Sequence, residues 1–135
     1  MSTRANVIIK DSFGQDIIFY RHSDGYPEGT EPTLKKFLQL VKDGTIRDNV
    51  SQASGWLVII GHEEYRGKQL KFDCSGEKFK HSEVVIPLGL ESFDHVDAGM
   101  SWKVGSYEPT TYISEDAEYL YTIDLEKKTL TTKEI

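Results

Sequence analysis

The sequence predicts an α+β fold, in which a mostly antiparallel twisted sheet is built from an N-terminal hairpin and C-terminal strands, and two helices pack on one face. Three observations support this prediction. Two β-branched runs near the N-terminus flank a glycine turn, a middle stretch carries apolar residues at helical spacing, and alternating segments return near the C-terminus. Because strands and helices come in blocks rather than alternating, we expect antiparallel pairing. The 135 residues fit a single domain.

The N-terminal hairpin is predicted from Asn6–Lys10 and Asp16–Tyr20, which are rich in β-branched and aromatic residues. Gly14 lies in the short turn between them, where it is free to adopt a positive φ. The second strand leads directly into Arg21 and His22. This arrangement puts a polar loop at the end of a rigid scaffold, which is a common location for a functional site.

A first helix is predicted to begin at Thr30 or Glu31, with Pro32 in its first turn. Its apolar residues follow the i, i+3, i+4, i+7 spacing of one buried face. They are Leu34, Phe37, Leu38 and Val41. Gly44 is well suited to end this helix.

A second helix is predicted over about Arg47–Glu63, although its run Leu57–Ile60 also fits a buried strand. The apolar stripe of the helix would contain Val50, Ala53, Leu57 and Ile60, widened by Trp56. From about residue 66 to residue 100 the pattern weakens, and we interpret this region as a variable insertion. Within it, short strands are expected at Gln69–Asp73 and Glu83–Ile86.

Three further segments are expected in the C-terminal part. Ser101–Tyr107 alternates like a strand, and Glu108–Thr111 is interpreted as a turn or an extended link. A strand over Ala117–Leu125 has an apolar face made of Ala117, Tyr119, Tyr121, Ile123 and Leu125. Thr129–Lys133 is predicted to pair back as an edge strand, because threonine and lysine discourage further pairing.

The charge and the cysteine content exclude some classes of partner and location. The formal net charge is −6, which disfavours broad binding to nucleic acid or to anionic membranes. The single cysteine, Cys74, cannot form an internal disulfide, and this is typical of an intracellular protein. No apolar run approaches the ~20 residues of a membrane span. We therefore expect a cytoplasmic protein.

The loop Arg21–Gly29 is the densest stretch of polar chemistry in the chain, with an imidazole, two carboxylates, a phenol and a guanidinium. Arg4 should lie beside it, because hairpin pairing brings the start of the first strand next to the end of the second. A guanidinium there can bind a carboxylate or phosphate, or pair internally with Asp24 or Glu28. The predicted ligand-binding residues are Arg4, Arg21, His22, Asp24, Tyr26 and Glu28.

Several alternative roles for this loop follow from the residue types. In a hydrolase, His22 would act as general base, Asp24 would orient it, and Arg4 would stabilise anionic charge. In an extended loop His22 and Asp24 would also point the same way, and a metal site would then need His62 with Glu63 or Glu64. We assign no metal and no cofactor, because the sequence has neither an H-E-x-x-H nor a C-x-x-C motif.

A purely structural role is the third alternative. Asp24 would then cap nearby backbone N–H groups ahead of Gly25, which we expect at a positive φ, and His22 would close the loop. Under this interpretation the motif only builds the fold and binds nothing.

Four segments resemble a family of small uncharacterised proteins from bacteriophages, prophages and other mobile elements. They are Ser2–Ala5, Tyr20–Gly29, Trp102–Thr110 and Glu118–Leu125. The resemblance implies a mobile-element source and a bacterial host cell, and it implies no catalytic residue. We therefore expect a non-enzymatic binding protein that engages a small anionic ligand or a host protein through the Arg21–Gly29 loop with Arg4. A counter-defence role would fit such a source by analogy.

Overall fold

A five-stranded sheet carries the fold, within the part of the chain that the computed structural model describes, residues 3–73 (side chains up to residue 64) and 105–135. The elements in chain order are β1 (Ala5–Lys10), β2 (Asp16–Arg21), α1 (Pro27–Lys42), α2 (Val50–Asp73), β3 (Glu108–Thr110), β4 (Tyr119–Asp124) and β5 (Thr129–Glu134). The strand order is β3-β2-β1-β4-β5, and all neighbours are antiparallel except β1 and β4. The predicted α+β class and mostly antiparallel sheet are confirmed.

The N-terminal hairpin is confirmed, with Ala5 opposite Arg21 and Lys10 opposite Asp16. Gly14 has a φ of 79°, as the turn requires. Asp11 joins this turn to α2, because its carboxylate accepts backbone N–H groups from the turn and, at 3.0 Å, from Val50. Burial acts to raise the pKa of Asp11, but these backbone donors hold it below its usual value.

One face of the sheet packs against both helices, as predicted. Alternate residues of β1, β2 and β4 point to this side and are fully buried with the apolar stripes of α1 and α2. The buried core contains Ala5, Val7, Ile9, Phe19, Leu34, Phe37, Leu38, Val41, Val50, Ala53, Leu57, Tyr107, Tyr121, Ile123 and Leu125. We call the opposite side of the sheet the back face.

Helix α1 begins at Pro27, earlier than the predicted start at Thr30 or Glu31. The prediction took Pro32 as the proline of the first turn, whereas Pro27 occupies that position and Pro32 lies inside the helix. In the structure Gly29 is needed there, since a Cβ would lie 2.6 Å from the carbonyl oxygen of Asp24. The predicted buried face is confirmed, and the helix ends just before Gly44, whose φ is 82°.

Helix α2 is longer than predicted and runs from Val50 to Asp73. Two interpretations are therefore wrong, namely the strand at Gln69–Asp73 and the alternative strand at Leu57–Ile60. Trp56 does not widen the buried stripe, because 46% of it is exposed. Neither described helix has the length and apolar character needed to cross a membrane.

The C-terminal strands β4 and β5 are confirmed, with β5 at one edge of the sheet. The segment Glu108–Thr111 was interpreted as a turn or link, but Glu108–Thr110 pairs with β2 as an edge strand. Pro109 is tolerated in it because an edge strand does not need every N–H group. The strand predicted at Ser101–Tyr107 is not formed over residues 105–107, and residues 101–104 lie outside the described chain, as does Glu83–Ile86.

The connection from β3 to β4, residues 111–118, crosses the back face. It must pass β2 and β1, because β3 and β4 lie on opposite sides of this pair. The Ser114 N–H donates to the side chain of Asn6 at 2.8 Å, and the Glu118 N–H donates to the carbonyl of Arg4 at 2.8 Å. We call this segment the crossover, and it brings distant residues to the end of β2.

Candidate functional site

The alternation of β2 splits the predicted site between two faces of the sheet. Arg21 pairs with Ala5 on the helix side, whereas Tyr20 pairs with Asn6 on the back face, and His22 follows on the same side as Tyr20. The loop Arg21–Gly29 is therefore not one continuous surface.

Arg21 lies in the interior, where its side chain is 1% exposed. Its Nη1 atom is 2.7 Å from Oε1 of Glu64, close enough for an ion pair although the hydrogen is not aligned. Its Nε donates to the carbonyl of Ser23 at 2.8 Å, and its Nη2 donates to that of Gly29 at 3.2 Å. The guanidinium also lies 5.0 Å from the ring centre of Tyr107. Arg21 thus joins β2, the loop, both helices and the segment before β3.

Glu64 has a second contact within this buried cluster. The Thr33 hydroxyl donates to Oε2 of Glu64. Burial raises the pKa of the Tyr107 phenol well above its usual value, although the neighbouring Arg21 acts to lower it. A buried charge that is paired on several sides stabilises the fold and is not accessible to a ligand. We therefore leave Arg21 out of the proposed contact surface.

The backbone of the loop is bonded to three neighbouring segments. The N–H of Gly25 donates to the carbonyl of Thr3 at 2.9 Å, and the carbonyl of Gly25 accepts from the Tyr121 hydroxyl at 2.6 Å. The carbonyl of Asp24 accepts from the Thr30 hydroxyl at 2.7 Å. Burial raises the pKa of Tyr121 to about 12, so this hydroxyl stays a donor at neutral pH.

The expectation that Gly25 adopts a positive φ is wrong. Asp24 has the left-handed conformation instead, at φ 56°, which aspartate tolerates better than most residues. Gly25 is required for a different reason, because a Cβ would lie 2.8 Å from the Thr3 carbonyl oxygen and 2.9 Å from the Ala5 Cβ. Since Asp24 is left-handed, His22 and Asp24 do not follow the extended H-x-D geometry that the sequence suggested.

Substitutions at the buried Gly25 and at the partly exposed His22 should differ in their effect on stability. We expect Gly25→Ala to lower the free energy of unfolding by about 1–3 kcal/mol through overpacking against β1. His22→Ala should lower it by no more than about 1 kcal/mol, because a partly exposed imidazole with one hydrogen bond is removed. Parallel urea titrations measure both values. A large and equal loss in the two variants would make His22 a structural residue.

On the back face, two side chains converge on the hydroxyl of Tyr20. Nδ1 of His22 lies 2.9 Å from this hydroxyl, and the Arg4 guanidinium is near enough for its charge to act on it. Burial raises the pKa of Tyr20, while the positive charge of Arg4 acts in the opposite direction. Arg4 is 37% exposed and forms an ion pair at 3.2 Å with Asp116, which is 63% exposed. The crossover thus supplies the counter-charge that the sequence led us to expect from Asp24 or Glu28.

Two apolar side chains of the crossover, the segment that also carries Asp116, remain in solvent. Tyr112 is 65% exposed and Ile113 is 42% exposed, and both precede Ser114, which bonds to the back face through Asn6. Aromatic residues and arginine are enriched in the contact surfaces of proteins. We define the back-face patch as Arg4, Tyr20, His22, Tyr112, Ile113 and Asp116.

The remaining predicted residues lie apart from this patch. The Tyr26 hydroxyl donates to Oδ1 of Asp24 at 3.4 Å, and 39% of Tyr26 is exposed. Glu28 is exposed in the first turn of α1. The predicted contact between the N-terminal segment and the loop does exist, but the backbone of Thr3 makes it.

The geometry does not favour the hydrolase or metal alternatives. The imidazole of His22 is oriented by Tyr20, whereas Asp24 receives the Tyr26 hydroxyl. Among the residues that the structure describes, no group of three or more His, Cys, Asp or Glu side chains is arranged to hold a metal ion. What Arg4, Tyr20 and His22 offer together is a guanidinium beside a hydrogen-bonded tyrosine–histidine pair at a partly exposed surface.

Tyr20, Asp116 and Glu64 were not identified from the sequence as partners of the predicted site residues. Tyr20 could have been found, because residues two apart on a strand share a face and His22 was already a candidate. Asp116 and Glu64 carry no local signal, since their contacts with Arg4 and Arg21 depend on how distant segments fold together. Such ion pairs cannot be deduced from spacing along the chain.

Comparison with known proteins finds no matching family model, no similar curated protein and no similar solved structure. Function therefore has to be inferred from the chemistry of the described residues.

Proposed function

We propose that this chain is a non-enzymatic binding protein that contacts a partner protein through the back-face patch. The observation that carries this proposal is the convergence of Arg4 and His22 on the Tyr20 hydroxyl at a partly exposed surface. Arg21 and several backbone carbonyls of the predicted loop are instead used inside the fold. The patch brings two of the predicted ligand-binding residues, Arg4 and His22, to a partly exposed surface.

The composition of the patch supports a protein partner. Tyrosine and arginine are the residues most enriched among the energetically important positions of interfaces. Tyr112 and Ile113 supply apolar area, and Arg4 supplies a directional donor. Their exposure is not explained by the fold, since the crossover is already held to the sheet by its backbone.

The described clefts also favour a protein surface over an enclosed small molecule. One cleft of ≈ 500 Å³ lies at the edge between β2 and β3, and another of ≈ 450 Å³ lies between α1 and α2. Neither of the two is lined by Arg4 or His22. The patch is an open surface of mixed charge, which suits a contact between two proteins.

The partner we propose is a protein of the bacterial host, met in the cytoplasm, and a counter-defence role is part of the same proposal. Its support is the sequence resemblance to mobile-element proteins. The net charge of −6 is consistent with it, because a strongly acidic chain avoids nucleic acid and is free to meet proteins.

Site-specific photo-crosslinking tests the proposed surface. Tyr112 is replaced by p-benzoylphenylalanine, and the purified chain is irradiated in bacterial lysate. We expect a discrete adduct that an excess of the unmodified chain competes away, because Tyr112 would lie inside the contact.

Two matched positions serve as controls for this experiment. Phe13 is 76% exposed in the hairpin turn, and Trp56 is 46% exposed on α2. The same photoreactive residue at either position should give no competed adduct. An adduct that forms from Trp56 and not from Tyr112 would move the contact surface to α2 and overturn the proposal.

A further inference from the structure

We infer that the back-face patch accepts a carboxylate of the partner, and that Asp116 occupies this acceptor in the free chain. The inference rests on the proposed function and names the chemistry of the same site. It also assigns Asp116 a role as an internal competitor that the partner must displace.

The donor geometry is the first argument. The Tyr20 hydroxyl is 2.9 Å from His22 Nδ1, and the Arg4 guanidinium lies near this hydroxyl at the partly exposed surface. A guanidinium has five N–H donors in a planar fork, which matches the two oxygens of a carboxylate. Asp116 already places one carboxylate oxygen 3.2 Å from Arg4, so the chain itself shows the kind of group that fits.

The second argument is that the exposed side chain of Asp116 can leave Arg4 without disturbing the backbone. The backbone around Asp116 is fixed without its side chain, because the Ala117 N–H donates to Ser114 and the Glu118 N–H donates to Arg4. The carboxylate of Asp116 is 63% exposed. It can therefore rotate into solvent while the crossover keeps its backbone bonds.

The strength of the resident ion pair is the third argument. Exposed ion pairs are weak, so the competition from Asp116 should reduce the affinity for an incoming carboxylate by only about two- to fivefold. Glu108 lies opposite Tyr20 and Glu115 precedes Asp116, so the surroundings are acidic. Free anions should bind weakly here, whereas a carboxylate delivered by a docked partner benefits from a high local concentration.

The test is an NMR titration of the full chain with acetate, at constant ionic strength balanced with chloride. The variants are Asp116→Asn and Glu115→Gln, which remove the same charge from neighbouring positions of the crossover. We expect the side-chain signals of Arg4 and His22 to shift with acetate, with a midpoint about two- to fivefold lower in Asp116→Asn than in Glu115→Gln. Arg4→Lys, which keeps the charge but not the fork, should raise the midpoint.

Equal midpoints in Asp116→Asn and Glu115→Gln would overturn the inference, and so would the absence of any shift at Arg4. A parallel titration with inorganic phosphate shows whether the patch binds a phosphate or a carboxylate. A response to phosphate without one to acetate would overturn the assignment of a carboxylate. Failure of the photo-crosslinking would remove the protein partner instead, because the acetate titration needs no partner.

Discussion

Replacing Arg21 by methionine should lower the free energy of unfolding by about 3–5 kcal/mol, because it leaves the Glu64 carboxylate without its partner in the interior. The side chains of Arg21 and Glu64 are only 1% and 15% exposed, so water cannot solvate the remaining charge well. The loss of the guanidinium would also free the carbonyls of Ser23 and Gly29. Chemical denaturation with urea measures the change.

A double-mutant cycle shows whether the pair acts as a unit. Glu64→Leu alone leaves an unpaired guanidinium, whereas the combined Arg21→Met and Glu64→Leu chain has no buried charge. We expect the double variant to lose clearly less than the sum of the single losses, with a coupling of about 1–3 kcal/mol. The exposed Lys35–Glu31 pair is the control, and Lys35→Ala should cost less than about 1 kcal/mol. Strict additivity at Arg21 and Glu64 would mean that the two charges do not support each other.

Phe37→Ala should lower the free energy of unfolding by about 3–5 kcal/mol, because it opens a cavity at the centre of the core. Phe37 is 0% exposed and lies on the face of α1 that packs on the sheet. Its neighbour Lys36 is exposed and provides a matched control on the same helix, where an alanine should have little effect. An unchanged melting temperature for Phe37→Ala would mean that α1 does not bury this face.

The parts of the fold that were predicted correctly depend on local patterns. The hairpin was predicted from two β-branched runs and Gly14. The buried face of α1 was predicted from the spacing of Leu34, Phe37, Leu38 and Val41. The errors depend on distant contacts. Gly29 looked like a loop residue, yet the approach of Asp24 makes a glycine necessary inside the first turn of α1.

The structure divides the predicted site between the two faces of the sheet. Sequence reasoning treated Arg21–Gly29 as one loop, and it could not see that the alternation of β2 would send Arg21 inward and His22 to the back face. It predicted that Arg4 would lie near the loop, and Arg4 does lie with His22 around Tyr20, but it did not indicate that the crossover supplies Asp116 as the counter-ion. Where a loop follows a strand, consecutive side chains at the strand end point to opposite faces of the sheet. This alternation has to be considered before those residues are assigned to one site.

The alternation of side chains along β2 explains why the short stretch Arg21–Gly29 contains both buried and exposed functional groups. Its inward half fixes the start of α1 and the end of β2, through Arg21 and the carbonyls of Asp24 and Gly25. This rigid support holds Tyr20 and His22 in place on the other side of the sheet. Such support is what a binding surface needs, because preorganised side chains lose little entropy on association.

One measurement tests the proposed surface most directly. The chain with p-benzoylphenylalanine at position 112 is compared with the same chain carrying Arg4→Ala and His22→Ala, and with a control carrying Lys42→Ala at an exposed position of α1. The proposed surface predicts that the double variant unfolds at nearly the same temperature but loses the competed adduct, while the control keeps it. An adduct of equal yield in the folded double variant would contradict a contact through Arg4 and His22.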